Sequence, residues 1–356
     1  LYFILLLFST FLSINLYNCD VSWVPIIGVF RIIFLLLIIT QFGTINTKLI
    51  RNVLVTVLTV NCIFAFIQLS NPSSAVFFAS AYGKESQVPL LAMAKMGYFS
   101  RAVGSFGSPV NLGAFALLCF AYFLGLLLDR NRNLPNILGL CMAFICGILS
   151  CTKTFILGVP ILVLLGIMFF VFISKKEIKA PSLKTIKYVL IIIFLLVFMG
   201  PWTVSYVESK GVPIHWYLAF LEKPFEALET RYDSYTGGQA QAIKVTKENP
   251  IIGVGFTNPQ GEFKGDSTYV GILHDTGLIG AIIFLIIFMY ISKWILQSRD
   301  ASKFLVFTCL LLSSFALPMV FSIIGVLAIA YTHSYPNMVS NKRGVIYEDK
   351  SFAYHT

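Results

Sequence analysis

Residues 249–280 read NPIIGVGFTNPQGEFKGDSTYVGILHDTGLIG. The stretch opens as a polar, glycine-punctuated loop and closes by entering an apolar helix, predicted over Leu278 to Ile291. Glu262, Lys264, Asp266, Tyr269, His274 and Asp275 gather where the chain passes from water into lipid. A protein that only fills a bilayer has no use for such a cluster, whereas one that handles a polar substrate at the membrane surface has.

The surrounding chain supplies the bilayer half of that reading. Of 356 residues, 57% are hydrophobic and 12% charged, with a mean hydropathy of +0.83. Soluble domains carry about 25% charged residues, so the composition is that of a polytopic membrane protein. Leu1 to Ile14 has neither a basic n-region nor a small-residue cleavage site, so no cleavable signal peptide is expected. The net charge of +10 is expected to reflect basic loops beside the membrane and not a nucleic-acid partner. The seven cysteines lie in or next to apolar runs without CxxC pairing, which suits packing and not a metal site.

Apolar runs near the roughly 20-residue length of a span cover Tyr2–Tyr17, Val24–Phe42, Val53–Leu69, Leu112–Leu128, Ile137–Cys151, Phe155–Ile173, Tyr188–Tyr206, Val270–Ile291 and Phe304–Tyr331. Pro318 is predicted to split the last, making about ten transmembrane helices. Alternate connections then carry fifteen basic residues against five acidic ones, which predicts that both ends of the chain are cytoplasmic.

The expected organisation is a single integral membrane domain over 1–356, an all-α polytopic fold. Its external loops are 70–110 and 207–269, and its cytoplasmic tail is 332–356. The second loop carries two helical patterns, His215–Thr230 and Gly238–Glu248, the latter stopped by Asn249-Pro250.

Several polar residues are candidates for chemistry. Arg101 opens RAVGSFGSPVN and offers a bidentate fork for phosphate, or a snorkelling anchor. Lys153 stands among hydroxyls in Ser150-Cys151-Thr152-Lys153-Thr154, placed to meet a diphosphate or simply the interface. Arg231 is flanked by Tyr232 and Asp233, an alternative ion pair. Arg31 lies mid-span, where arginine costs roughly 2.5–3.5 kcal/mol on insertion scales, so a buried partner or bound anion is expected. Asp266 could accept a proton from a sugar hydroxyl, cap the following helix, or do both. His274 and Asp275 follow two turns or more later, which makes Asp266 and Asp275 a weak two-carboxylate arrangement. No Walker A, HExxH, GxSxG or Cys/His cluster is present, and no metal or cofactor is expected.

These elements together resemble the O-antigen polymerase and ligase family of bacterial envelopes. RAVGSFGSPVNLGAF looks like the family's arginine-glycine-phenylalanine-proline-asparagine element. LSCTKTFILG is similar to its serine-arginine element, with Lys153 where arginine is usual. Arg231, Ala242 and ENPIIGVGF look like its external helix and turn, and DSTYVGILHDTGLIG like its closing motif. The likeness covers roughly Arg101 to Gly280. Ligases carry His-Asn where this chain has Asp266-Ser267, so the departure favours polymerases.

The resemblance implies a GT-C-like, metal-independent, inverting glycosyltransferase of the bacterial plasma (inner) membrane, facing outward. It would use undecaprenyl-diphosphate-linked glycans of O-antigen, capsule or exopolysaccharide. Arg101, Lys153 and Arg231 would hold the diphosphate, and Asp266 would act as base. Tyr232, Tyr269 and Trp216 would stack on sugars, with Arg31, His274 and Asp275 as further substrate contacts. A ligase of the same fold and a lipid-linked oligosaccharide flippase are the alternatives. The sequence leaves open whether a chain-length regulator and a flippase act beside it, and fixes neither sugar nor linkage.

Overall fold

The computed structural model describes residues 2–17, 21, 30, 44–45, 47–70, 101–129, 131, 133–172, 239–257, 267–333 and 335–336. Apart from residue 30, the segments predicted as spans at 24–42 and 188–206 lie outside them, as do Arg31, the helical pattern at 215–230, Trp216, Arg231, Tyr232 and Asp266.

The described chain is helical. Its elements are α1 (Tyr2–Tyr17), α2 (Thr47–Ser70), α3 (Pro109–Leu128), α4 (Leu134–Ser150), α5 (Lys153–Phe172), α6 (Ala240–Glu248), α7 (Thr268–Ser298), α8 (Ala301–Ser313) and α9 (Ile323–His333). Strand structure among the described residues is a two-residue parallel pairing of Thr44–Ile45 with Tyr335–Pro336. Thr47–Leu69, Pro109–Leu128, Lys153–Phe172 and Thr268–Ser298 are four helices long and apolar enough to cross a membrane. α8 and α9 are the two pieces expected from Pro318, which stands at the head of a short 3-10 turn, Met319–Phe321, between them.

α3 is the axis of the bundle. It is apolar all round, as a fully enclosed helix must be, and 72% of its span is buried, against 28% for α2 and α7. α4, α5 and α8 pack on it. In lipid the hydrophobic effect does not draw helices together, so close packing and interhelical hydrogen bonds must. Small residues provide the approach: a Cβ on Gly125 would fall into the backbone of Ser302 on α8, and one on Gly147 into the Phe155 ring. Ser302 Oγ donates to the Tyr122 carbonyl (3.1 Å), and the Tyr331 hydroxyl bonds Ser302 Oγ (2.9 Å), so α3, α8 and α9 share one polar joint.

The helix ends sort onto two faces. Tyr122 reaches back toward Thr47 at the start of α2, and the Ala301 amide donates to Asp129 Oδ2 (3.1 Å), so the starts of α2 and α8 and the end of α3 meet at one end. Lys48, Arg51, Arg299 and Lys303 belong to that end. The end of α2, the start of α3, the turn between α4 and α5, and the end of α8 form the other.

Candidate functional site

Arg101 opens a loop that is held rigidly from two sides. Gln68, buried near the end of α2, accepts from the amides of Val103 and Gly104 (both 3.0 Å) and donates to the Gly104 carbonyl (3.0 Å). Two turns earlier, Asn61 Oδ1 accepts from the amide (2.7 Å) and the hydroxyl (3.1 Å) of Ser105. A polar side chain within an apolar span is costly unless paired, and both of these are spent on a single loop. Gly104 and Gly107 adopt positive φ of 56° and 68°, which lets the chain turn tightly before Pro109 starts α3.

On the other side, the Ala102 amide donates to the Leu149 carbonyl (3.0 Å), and Arg101 Nε donates to the Ser150 carbonyl (3.1 Å) at the end of α4. Arg101 therefore sits against the turn that leads, three residues on, into Lys153 at the head of α5. Both side chains are half-buried. The structure thus brings Arg101 and Lys153 together at one turn, which the sequence order alone did not require. The N-termini of α3 and α5 lie at this same end. Their partial positive charge adds to the two cations and makes the region suited to an anion.

The 249–280 stretch meets this end through α7. The Thr268 amide donates to the Ser314 carbonyl (2.9 Å), Thr268 Oγ1 to the Leu317 carbonyl (2.8 Å), and the Tyr269 hydroxyl to the Leu311 carbonyl (2.9 Å). Tyr269 also packs on Phe315, ring centroids 4.7 Å apart. Both its hydroxyl and its ring are thus engaged with the bundle. Capping this helix was one of the two readings of Asp266. Ser267 holds that position instead, with extended backbone, and its hydroxyl lies 3.4 Å from the Ser314 carbonyl without capping.

α7 also corrects the apolar helix expected over Leu278 to Ile291. It runs from Thr268 to Ser298 but is interrupted at Gly277 (φ 59°, ψ −159°). A straight helix of 31 residues would be about 45 Å long. Yet its first amide meets the end of α8, whose 13 residues span only about 20 Å. A sharp bend closes that circuit.

Breaking a helix in an apolar setting exposes carbonyls and amides that cost several kcal/mol each if unpaired. The loop 249–257 pairs them. Val254 and Gly255 donate their amides to the carbonyls of His274 (2.9 Å) and Asp275 (2.8 Å), and Leu278 and Ile279 donate theirs to the carbonyls of Pro250 (2.8 Å) and Ile251 (3.2 Å). Gly253 and Gly255 hold φ of 74° and 68°. A Cβ on Gly253 would lie 2.6 Å from the backbone of Asp275.

α1 closes the loop's other face. Thr10 Oγ1 accepts from the Phe256 amide (2.9 Å), Ser9 donates to the Ile252 carbonyl (2.7 Å), and the Ser13 and Thr257 hydroxyls bond each other. α6 matches the pattern expected at Gly238–Glu248 and packs on α7 through Ala240, Ala242 and Val245.

His274 and Asp275 lie at the end of the first half of α7. His274 is 1% exposed and its Nδ1 lies 2.7 Å from Asp275 Oδ1, while Asp275 is 22% exposed. The histidine is therefore buried and its partner carboxylate partly exposed. No group of three or more potential metal ligands forms among the described residues. A concavity of about 650 Å³, lined by Met289, Ser292, Lys293, Leu296, Gln297 and Arg299, lies near the far end of α7, away from Arg101 and Lys153. Sequence reading missed Gln68, Asn61, Ser9, Thr10 and Ser13, although polar residues inside apolar runs were the available signal. Comparison with protein-family models, with curated proteins and with solved structures finds no match for this chain.

Proposed function

We propose that this chain is a membrane glycosyltransferase that polymerises lipid-diphosphate-linked oligosaccharide repeat units at the outer face of the bacterial plasma membrane. The observation that carries the reading is the cationic turn: Arg101 bonded to the Ser150 carbonyl, beside Lys153 and the N-termini of α3 and α5. A diphosphate leaving group needs such preorganised positive charge, because charge develops on it as the glycosidic bond breaks. Asp275 on the bent half of α7 supplies a partly exposed carboxylate from the closing motif. Asp266, immediately before that helix, remains the base of the proposal, with Arg231 as a third cation.

The broken helix also bears on the flippase reading, since transporters often carry interrupted helices at the membrane midplane. Here the segment from Leu278 to Ser298 is by itself about 30 Å long, the full thickness of a hydrocarbon core. The break then belongs at an edge of the apolar layer, which favours surface chemistry.

Complementation of a deletion strain, with surface glycan resolved as a ladder, tests both readings. Wild type should restore a ladder, while Arg101→Ala, Lys153→Ala and Asp266→Asn at matched membrane abundance should leave a single repeat unit. Full-length glycan left unattached in the deletion strain would instead identify a ligase. Absence of any repeat unit from the outer face would identify a transporter.

A further inference from the structure

Two of the buried thiols face each other across a helix interface. Cys62 on α2 and Cys146 on α4 have sulfurs 3.2 Å apart, inside van der Waals contact. The approach is reciprocal: Cys62 Sγ lies 3.5 Å from the Met142 carbonyl, and Cys146 Sγ lies 3.5 Å from the Leu58 carbonyl. Each side chain therefore points into the other's helix, and closing by about an ångström would reach disulfide bonding distance. They are 5% and 0% exposed, so an oxidant meets the pair at Cys62, and α2, an apolar helix with only 28% of its span buried, favours one dissolved in lipid over one in water.

We propose that Cys62 and Cys146 form a reversible disulfide that staples α2 to α4 beneath the Arg101 loop, with a lipid-soluble quinone as oxidant. The two thiols give up two electrons and two protons, the S–S bond forms, and the quinone leaves as quinol. The position gives the bond a consequence. Cys62 directly follows Asn61, which holds Ser105, and Cys146 precedes Ser150, whose carbonyl holds Arg101, by one turn. Oxidation would fix the two supports of that loop to each other. The chemistry is independent of the glycosyltransferase reading.

The test uses the full chain in native membranes, treated with decylubiquinone or with molecular iodine, then denatured, alkylated and digested for mass spectrometry. The expected result is a linked pair of peptides containing Cys62 and Cys146, formed with either oxidant and lost on reduction with dithiothreitol. Cys62→Ser and Cys146→Ser should each abolish it, and Cys119→Ser should leave it intact. Full alkylation of both thiols after oxidation, or a link involving Cys119 or Cys309 instead, would overturn the pairing. A link formed by iodine but not by the quinone would overturn the proposed oxidant.

Discussion

The amide of Leu278 donates to the carbonyl of Pro250 at 2.8 Å, across the point where Gly277 turns α7 out of helical geometry. With the Ile279–Ile251, Val254–His274 and Gly255–Asp275 bonds, it makes loop 249–257 the missing turn of a broken helix. The backbone of Gly277 lies in a region open essentially to glycine alone, where another residue costs on the order of 1–3 kcal/mol. A Cβ there would also fall on the backbone of Ile251. Gly277→Ala is therefore expected to lower the thermal unfolding temperature of the detergent-purified protein and its membrane abundance. An unchanged melt would refute the role given to this break.

Thr10 is the matching support on α1. Its hydroxyl accepts from the Phe256 amide and donates to the Leu6 carbonyl (2.7 Å). Thr10→Val keeps the shape and removes the hydrogen bond to the Phe256 amide, at a cost of about 0.5–1.5 kcal/mol. Thr10→Ser keeps the bond. Thermal unfolding of the two variants should separate them, with serine close to wild type and valine well below it.

Gln68 lies within α2 yet governs the loop that carries Arg101, through three hydrogen bonds to Val103 and Gly104. Gln68→Leu removes all three and takes the side-chain acceptor from the buried Val103 amide. The expected outcome is a glycan ladder shortened toward that of Arg101→Ala, in protein that still inserts at normal abundance. A full-length ladder would mean that the loop does not need this anchor to hold Arg101.

Much of the helical framework was legible in the sequence because span-length apolar runs are read one at a time. The runs at Tyr2–Tyr17 and Leu112–Leu128, and the split at Pro318, correspond to α1, α3 and the α8–α9 break. The Gly238–Glu248 pattern, stopped by Asn249-Pro250, is α6. What periodicity could not show was the partner of each polar residue inside a span. Asn61, Gln68 and Thr10 are ordinary members of apolar runs until their distant hydrogen-bond partners are placed beside them. The same limit hid the break at Gly277, since TGLIG reads as an unbroken helical entry. Arg101 and Lys153 were grouped only through the resemblance, and the bonds to the Leu149 and Ser150 carbonyls place Arg101 against the turn that carries Lys153.

That junction yields a prediction about which cations are interchangeable. Arg101 spends Nε on the Ser150 carbonyl, and on the proposed function its Nη atoms would meet the diphosphate, a division that lysine's single ammonium cannot reproduce. Lys153 begins α5, and on the proposed function it would act as a charge at a helix N-terminus, where arginine carries the same charge. Arg101→Lys should therefore slow chain extension by roughly ten- to a hundredfold, the loss of one charge-assisted hydrogen bond of about 1.5–3 kcal/mol. Lys153→Arg should stay near wild type and Lys153→Met should fall as Arg101→Lys does. Ladder length in the complemented strain, at equal protein abundance, reads all three. Equal activity of Arg101→Lys and wild type would show that charge alone suffices at the turn, and that the bond to Ser150 does not orient the guanidinium for substrate.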